Sequence, residues 1–310
     1  CEGVGLWVFE EDQFQSMSKS RANEDFLPGC PLPANIRLFH EPEDFSPDAA
    51  LWVSVVPTQF LPPLWNRIGP KCPGDTLVVS ASKGIEQASL KLPCEILDAV
   101  LPAGAAPAVA LSGPSFAAGL AAGDPTAVVF GCPDTKRAQR AQRLFSHDHL
   151  RGYVTRDRKG VELGGAVKNV IALACGIASG LGFGHNAVAA IITRGLSEIV
   201  RLGTALGADA QTFSGLSGIG DLVLTCTGGE SRNRTVGTRL GRGEKLEDIL
   251  HAMKMVAEGV ATTCSVCELA SREDVEMPIT SAVERILYRG LSPEQALKEL
   301  LARELKPEAW

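Results

Sequence analysis

The stretch GVELGGAVKNVIALACGIASGLG, residues 160–182, decides how the rest of the chain is organised. Small and apolar residues recur on all sides of it, so the pattern predicts a helix that is buried all round. A single lysine, Lys168, lies in its middle and is followed at once by Asn169. The pair Gly164 and Gly165 just upstream would let another backbone or a ligand approach this helix closely.

Lys168 has two interpretations, one functional and one structural. A lysine is seldom fully buried unless it is paired or has a function. Burial disfavours the ammonium form and lowers the pKa, which would make Lys168 a proton donor and acceptor near neutral pH. Alternatively, the side chain could reach water while its stem packs on the core. The neighbouring glycine pair favours the functional interpretation.

The composition is that of an ordinary globular protein. Its 310 residues suffice for two domains, and 45% are hydrophobic and 21% charged. A net charge of −6 and the lack of a long basic run argue against a nucleic-acid-binding protein. The nine scattered cysteines show no disulfide framework and favour a reducing compartment. With no visible signal peptide and no uninterrupted transmembrane run, we expect a soluble protein that does not bind membranes. We expect it in the cytoplasm, with a plastid or other organelle as the alternative, because a transit peptide would lie in the missing N-terminus.

Short apolar runs alternate with helical segments in the first half of the chain. The runs predicted as strands are Val4–Phe9, Ala49–Val56, Thr76–Ser80, Ala108–Leu111, Thr126–Phe130 and a short one near Tyr153. Helices are predicted over 13–26, 90–101 and 135–145, and turns over 26–36. This alternation predicts an open, doubly wound α/β sheet. The strand signal then disappears, which predicts a first domain over 1–157 and an all-α second domain over 158–310.

Polar residues follow several of the predicted strands. Lys83 comes after one strand, in the crevice where such sheets bind ligands, although a surface lysine in a loop is the alternative. The segment 112–117, SGPSFA, follows the next strand and could offer backbone N–H groups and a hydroxyl, or simply form a turn. Asp221 ends GLSGIGD, which follows helical sequence and is therefore not a dinucleotide turn. Its carboxylate could orient a catalytic group or cap the next helix.

The segment 225–234, TCTGGESRNR, has the composition of an anion site. Backbone donors at a helix N-terminus and a guanidinium both suit phosphate, and Ser231, Arg232 and Asn233 form a dense cluster of donors. An exposed arginine-rich loop is the alternative. Glu258 lies at a turn before the last helices and could be a plain exposed acid.

Together these motifs resemble the NAD-dependent glycerol-3-phosphate dehydrogenase family. The matching blocks, in the family's order, are LWVFEE (6–11), FLPG (26–29), VVPTQF (55–60), SASKGIE (80–86), LSGPSFA (111–117), GVELGGAVKN (160–169), GLSGIGDLVLTCT (215–227), SRNRTVG (231–237) and VAEGVAT (256–262). The resemblance runs from residue 4 to about residue 300. It implies a Rossmann-like domain followed by a helical substrate domain, NAD as cofactor, no metal, and a homodimer. The implied reaction interconverts dihydroxyacetone phosphate and glycerol 3-phosphate, linking glycolysis to glycerolipid synthesis.

The resemblance also implies a role for each matching residue. Lys168 would exchange a proton with the C2 oxygen of the substrate, with Lys83 and Asp221 as further catalytic residues. Substrate contacts are implied for Lys83, Gly113, Ser115, Asn169, Asp221, Thr225, Ser231, Arg232 and Asn233. Cofactor contacts are implied for Phe9, Phe60, Lys83, Ala117, Arg232, Val256 and Glu258. Glu10 or Glu11 is placed to bond a ribose 2′-hydroxyl and repel a 2′-phosphate, which favours NAD over NADP.

The sequence departs from the family pattern at two places. The family's first strand and its GxGxxG turn, which sets the pyrophosphate on a helix N-terminus, are missing. We therefore expect a fragment of a longer protein; the alternative is a non-catalytic remnant that binds glycerol phosphate without a dinucleotide. Another β-hydroxyacid-type dehydrogenase is a further alternative, against which the phosphate-site motif argues. Gly119 stands where the family commonly has an acid, at one cofactor contact.

Overall fold

The computed structural model describes residues 3–44, 48–105, 107–253, 255–305 and 307–308. The strands in this part are β1 (Val4–Trp7), β2 (Ala22–Asn23), β3 (Leu27–Pro31), β4 (Ile36–Phe39), β5 (Leu51–Ser54), β6 (Leu77–Ser80), β7 (Val109–Ser112), β8 (Thr126–Gly131) and β9 (Leu150–Thr155). The α-helices are α1 (Glu11–Ser20), α2 (Leu61–Ile68), α3 (Pro93–Asp98), α4 (Ala117–Ala122), α5 (Thr135–Phe145), α6 (Arg158–Gly180), α7 (His185–Ala205), α8 (Asp221–Thr227), α9 (Arg232–Gly241), α10 (Leu246–His251), α11 (Glu258–Arg272), α12 (Pro278–Tyr288) and α13 (Pro293–Leu301).

The main sheet has five strands in the order β5-β6-β7-β8-β9. Every residue of β6 is buried, as expected of an apolar strand covered on both faces. The predicted α/β fold class is confirmed, but β7 and β8 pair antiparallel whereas the other neighbours are parallel. The chain turns after β7 at Gly113, whose φ is 139°, and only the short helix α4 separates the two strands. The chain therefore re-enters the sheet at the same end of the strands at which it left, and β8 runs antiparallel to β7.

Three predictions for the N-terminal part need correction. Residues 26–36, predicted as turns, contain β3, which pairs antiparallel with β2; two prolines and a glycine in LPGCP hid this strand. The helix predicted over 90–101 is observed only at α3, because Leu90 has a φ of 58° and Pro93 begins the helix. The helix predicted over 13–26 is α1, which ends at Arg21 in the left-handed region. The first predicted strand, β1, pairs in parallel with β4 in a two-stranded sheet of its own.

Helix α6 is the centre of the helical region, and the prediction of a helix buried all round is confirmed. It is long and apolar enough to cross a membrane by length and composition, but 94% of its most apolar part is buried inside the protein. Glycines let other backbones touch it: a Cβ on Gly164 would clash with the Ser217 carbonyl, and one on Gly176 with the Arg234 carbonyl. A Cβ on Gly237 of α9 would in turn clash with the carbonyl of Leu173. Helices α6 and α9 thus pack backbone against backbone.

The start of α6 is tied to both halves of the described chain. Asp157 is its N-cap, and one carboxylate oxygen accepts the Gly160 N–H at 2.9 Å. Arg158 donates to Asp98 at 2.7 Å and to the Ala108 carbonyl at 2.9 Å, which joins α6 to α3 and β7. In the described residues all strands precede Arg158 and only helices and turns follow it. The division into domains at 157 and 158 stays a prediction.

A buried carboxylate joins α7 to α12. Glu198 is 1% exposed and accepts the backbone N–H groups of Ile279, at 2.6 Å, and Thr280, at 3.1 Å. It also accepts the Thr280 hydroxyl at 2.8 Å. These N–H groups belong to the first turn of α12, where no intrahelical acceptor exists. Glu198 therefore caps α12 from another helix.

We expect Glu198→Ala to lower the free energy of unfolding by about 3 kcal/mol, because it leaves buried donors without an acceptor. Urea unfolding followed by circular dichroism would measure the change. Glu268→Ala, on an exposed position of α11, is the matched control and should shift the value by less than about 0.5 kcal/mol. Equal effects of the two variants would contradict the capping role.

Candidate active site

Two lysines from distant parts of the chain share one carboxylate. The Lys168 Nζ, on α6, lies 2.5 Å from Asp221 Oδ1 and also donates to the Thr225 hydroxyl at 2.8 Å. The Lys83 Nζ, from the loop after β6, lies 2.7 Å from Asp221 Oδ2. Lys168 and Asp221 are 4% and 1% exposed. The structure therefore brings the three predicted catalytic residues together, and Lys168 does not reach out to water.

Asp221 is placed by the turns that precede α8. Residues 216–220 form a π-helical turn in which Gly218 has non-helical backbone angles, and Asp221 begins the helix directly after it. Thr225, one turn later, donates its hydroxyl to the Asp221 carbonyl at 2.7 Å. The Asp221 carboxylate faces the two ammonium groups. Of the two interpretations from sequence, orienting a catalytic group is the one that the contacts support.

The electrostatics of this triad favour a titratable lysine. Burial, together with the neighbouring Lys83 ammonium, lowers the pKa of Lys168 to about 7, against the opposing effect of Asp221. Burial alone would raise the pKa of Asp221, but the charges of Lys83 and Lys168 outweigh it, and that pKa is lowered. Asp221 is therefore a fixed anion near neutral pH, while Lys168 can gain or lose a proton.

The loops after β6 and β7 meet α6 beside Lys83. The Lys83 Nζ donates to the Gly113 carbonyl at 3.2 Å, and Ser115 Oγ donates to the same carbonyl at 3.1 Å. The Asn169 side chain donates to the Lys83 carbonyl at 3.3 Å. A Cβ on Gly165 would lie 2.9 Å from Ser112 Oγ, so the glycine pair permits the close approach predicted from sequence. Gly113, Ser115 and Asn169 thus surround Lys83.

The SRNR segment begins α9 next to the same helix. Ser231 is buried, and its hydroxyl caps α9 by accepting the Arg234 N–H at 3.2 Å. Asn233 Oδ1 accepts the Gly259 N–H at 3.0 Å, and a Cβ on Gly259 would lie 2.8 Å from the Asn169 carbonyl. Asn233 is therefore adjacent to Asn169, while its Oδ1 already has a structural partner. Arg232 is exposed at the first position of α9.

The predicted cofactor side is an exposed apolar surface. Glu258 accepts the Thr58 N–H at 2.6 Å, which joins the turn carrying Phe60 to the loop carrying Val256. Phe60 and Val256 are 53% and 45% exposed, and Ala117 is also exposed. Phe9, 67% exposed two residues after β1, packs edge-on against the Trp7 ring.

Exposed large hydrophobic side chains are typical of binding surfaces, and the cofactor contacts implied for these residues stay predictions. Glu258 itself is partly buried, and burial raises its pKa. The interpretation of Glu258 as a plain exposed acid is therefore wrong. The glycine-rich turn that would hold the pyrophosphate is not among the 310 residues.

Sequence reasoning missed a second buried charged residue in the central stretch. Glu162 is 6% exposed and accepts the Cys94 N–H at 2.7 Å, and burial raises its pKa to about 7. It lies at a small enclosed space that Lys83 and Ser112 also line. Glu162 gave the same sequence signal as Lys168, namely a charged residue within an apolar helix. Thr58, by contrast, contributes a backbone N–H, which no sequence pattern marks.

A Rossmann-like sheet followed by a helical region, with a titratable lysine near the strand-end loops, is typical of nicotinamide-dependent dehydrogenases. The family models for the N-terminus and C-terminus of NAD-dependent glycerol-3-phosphate dehydrogenase match residues 1–138 and 157–298. The chain belongs to this family.

Relatives and a solved structure agree with this assignment. A glycerol-3-phosphate dehydrogenase [NAD(P)+] of Koribacter versatilis is 46% identical over 99% of this chain and 92% of its own. One of Nitratidesulfovibrio vulgaris (strain Hildenborough) is 48% identical over 99% of this chain and 93% of its own. The crystal structure of glycerol-3-phosphate dehydrogenase from Coxiella burnetii superposes with a TM-score of 0.92 at 36% identity, covering 97% of this chain and 92% of the other.

The triad makes a prediction about the pKa of Lys168. Lys83→Met removes a like charge and should raise that pKa, whereas Asp221→Asn removes an opposite charge and should lower it. Each shift should be about one unit, measured by NMR titration of labelled lysine side chains. Lys71→Met, at an exposed site, should leave the Lys168 titration unchanged. Shifts in the same direction for both active-site variants would contradict the electrostatic account.

Proposed function

We propose that this chain catalyses the reversible, NAD(H)-dependent reduction of dihydroxyacetone phosphate to glycerol 3-phosphate. The observation that carries the proposal is the buried Lys168, held by Asp221 and Thr225 beside a second ammonium group. Family membership and the activity for which the relatives are named support the choice of substrate.

In the proposed mechanism, Lys168 donates its proton to the C2 oxygen of the substrate during reduction and takes it back during oxidation. The Lys83 ammonium, 2.7 Å from Asp221, stabilises the negative charge that develops on that oxygen. Asp221 and Thr225 hold the Lys168 side chain in one orientation. The nicotinamide, when bound, supplies the hydride.

The phosphate end of the substrate would bind at the start of α9. Arg232 is exposed there and offers a guanidinium, and the positive end of the helix dipole adds to its attraction for an anion. Ser231 and Asn233 flank it, and both are buried. Because α9 packs against α6 and Asn233 lies beside Asn169, the start of α9 would hold the phosphate close to Lys168.

The direct test is NADH oxidation with dihydroxyacetone phosphate by this chain and by Lys168→Met. We expect the variant to lose at least about 10²-fold in kcat, because it lacks the proton donor. Since reduction needs protonated Lys168, kcat/KM for reduction should fall as the pH rises through about 7, and kcat/KM for oxidation should rise over the same range. Lys71→Met, at an exposed position, is the matched control.

Retention of full turnover by Lys168→Met would exclude the proposed role of this lysine. If the unaltered chain shows no turnover, the same assay is repeated with a family glycine-rich segment fused upstream. Failure there, with glycerol 3-phosphate bound but NADH not bound, would favour the non-catalytic alternative over the proposed reaction.

The acids after β1 support a preference for NAD over NADP. Glu11 is already engaged, since His40 Nε2 lies 3.1 Å from one oxygen and Gln15 donates to the other at 2.8 Å. Glu10 is the N-cap residue of α1 but makes no side-chain capping bond. Glu10 is therefore the acid that would bond a ribose 2′-hydroxyl and repel a 2′-phosphate.

We expect the chain to bind NADH at least about tenfold more tightly than NADPH, and Glu10→Ser to reduce that ratio, because the variant removes the repulsion. Titration of tryptophan fluorescence would give both dissociation constants. Glu24→Ser, an exposed acid further along the chain, should leave the ratio unchanged. Tighter binding of NADPH by the unaltered chain would contradict the preference.

The assembly and location belong to the same proposal. The family resemblance supports a homodimer and a cytoplasmic protein that acts on a small molecule. It also supports a dinucleotide domain over 1–157 and a substrate domain over 158–310.

A further inference from the structure

The segment between α7 and α8 must place Asp221 accurately, yet it contains no strand and no α-helix. Residues 210–214 form a 3-10 turn and residues 216–220 the π-helical turn described above. The reaction proposed for this chain needs Asp221 within hydrogen-bond distance of Lys168 on α6. Contacts between this segment and α6 therefore decide the geometry of the catalytic pair.

Packing against α6 and α7 fixes how deeply the segment between α7 and α8 is buried. Phe213 is fully buried, and a Cβ on Gly203 of α7 or on Gly218 would clash with it. The Ser217 carbonyl sits on Gly164 of α6. Such apolar and backbone contacts resist separation, but they are weakly directional, so they do not by themselves fix the segment along the helix axis.

Asp157 supplies a directional link between the two elements. One carboxylate oxygen caps α6 through the Gly160 N–H, and the other accepts the Asp209 N–H at 3.0 Å and the Thr212 hydroxyl at 2.7 Å. A Cβ on Gly160 would displace this carboxylate, so the glycine lets Asp157 lie directly against the first turn of α6. Hydrogen bonds are directional, and those made by a charged group are the stronger ones.

We propose that Asp157 is a positioning residue of the reaction: by holding Thr212 against the first turn of α6, it sets Asp221 in register with Lys168. The inference rests on the function proposed above. Lys168 lies eleven residues further along α6, about 16 Å away along the axis. Asp157 therefore acts through the 209–220 segment and through the helix, and does not touch the substrate.

The sharpest variant is Thr212→Val, which removes the hydroxyl donor, keeps the branched shape and leaves the Asp157 cap of α6 intact. We expect kcat to fall about tenfold with a smaller change in KM, because Asp221 moves away from Lys168 while the substrate contacts remain. Thr212→Ser, which keeps the hydroxyl, should restore most of kcat. Asp157→Asn should resemble Thr212→Val, because the carboxamide has one acceptor oxygen fewer.

A second readout separates positioning from a general loss of stability. The titratable groups facing Lys168 are Asp221 and Cys226 from α8 and Lys83 from the loop after β6. Of these, Asp221 raises the pKa of Lys168, so its displacement should lower that pKa, by about one unit in Thr212→Val. NMR titration of labelled lysine side chains measures this without substrate or cofactor.

The matched control is Asp134→Ala, which removes the side-chain N-cap of α5 far from the triad along the chain. It should lower stability without moving kcat or the Lys168 titration. The proposal is overturned if Thr212→Val keeps kcat within about twofold and leaves the Lys168 pKa unchanged, or if Thr212→Ser fails to restore either value. Absence of turnover in the unaltered chain would count against the proposed function, whereas the NMR titration would still decide the positioning role.

Discussion

The structure depends on one carboxylate shared by two ammonium groups. Asp221 brings α8 to α6 and to the loop after β6, so one ion pair joins the sheet and the helical region. Burying a single charge is costly, but the buried triad keeps a net positive charge spread over three hydrogen-bonded groups. Removing Asp221 would leave two neighbouring ammonium groups without a counter-charge, whereas removing either lysine would leave one ion pair. The fold therefore maintains the arrangement that the chemistry uses.

The sequence predicts the elements of this site better than it predicts how they are held. The apolar stretch around Lys168 indicated a buried helix, and a lysine within it indicated chemistry, because a charged side chain is seldom buried without a partner or a function. Lys83 and Asp221 could be placed at loops, but their contact joins residues 138 positions apart. No local sequence pattern predicts a contact between residues that lie so far apart in the chain. Glu162 was missed although it gave the same signal as Lys168 in the same stretch.

The sheet shows a similar limit. Apolar runs located β5 to β9, since continuous hydrophobic sequence of this length is typical of buried strands. The antiparallel pairing of β7 and β8 depends on how the chain turns at Gly113, which is a matter of backbone angle. Residues 27–31 pair as a strand although their prolines and glycine argue for a turn. Local preference is overridden there by the partner strand.

The glycine contact between α6 and α9 has a consequence for substrate choice. Side chains can adjust their rotamers, whereas two backbones in direct contact leave no room for the helices to come closer. The separation between the start of α9 and Lys168 is therefore fixed by main-chain atoms at Gly176 and Gly237. In the proposed reaction, the spacing of these two helices sets the distance between the phosphate site and Lys168. A substrate one carbon longer or shorter would therefore present the wrong atom to the lysine.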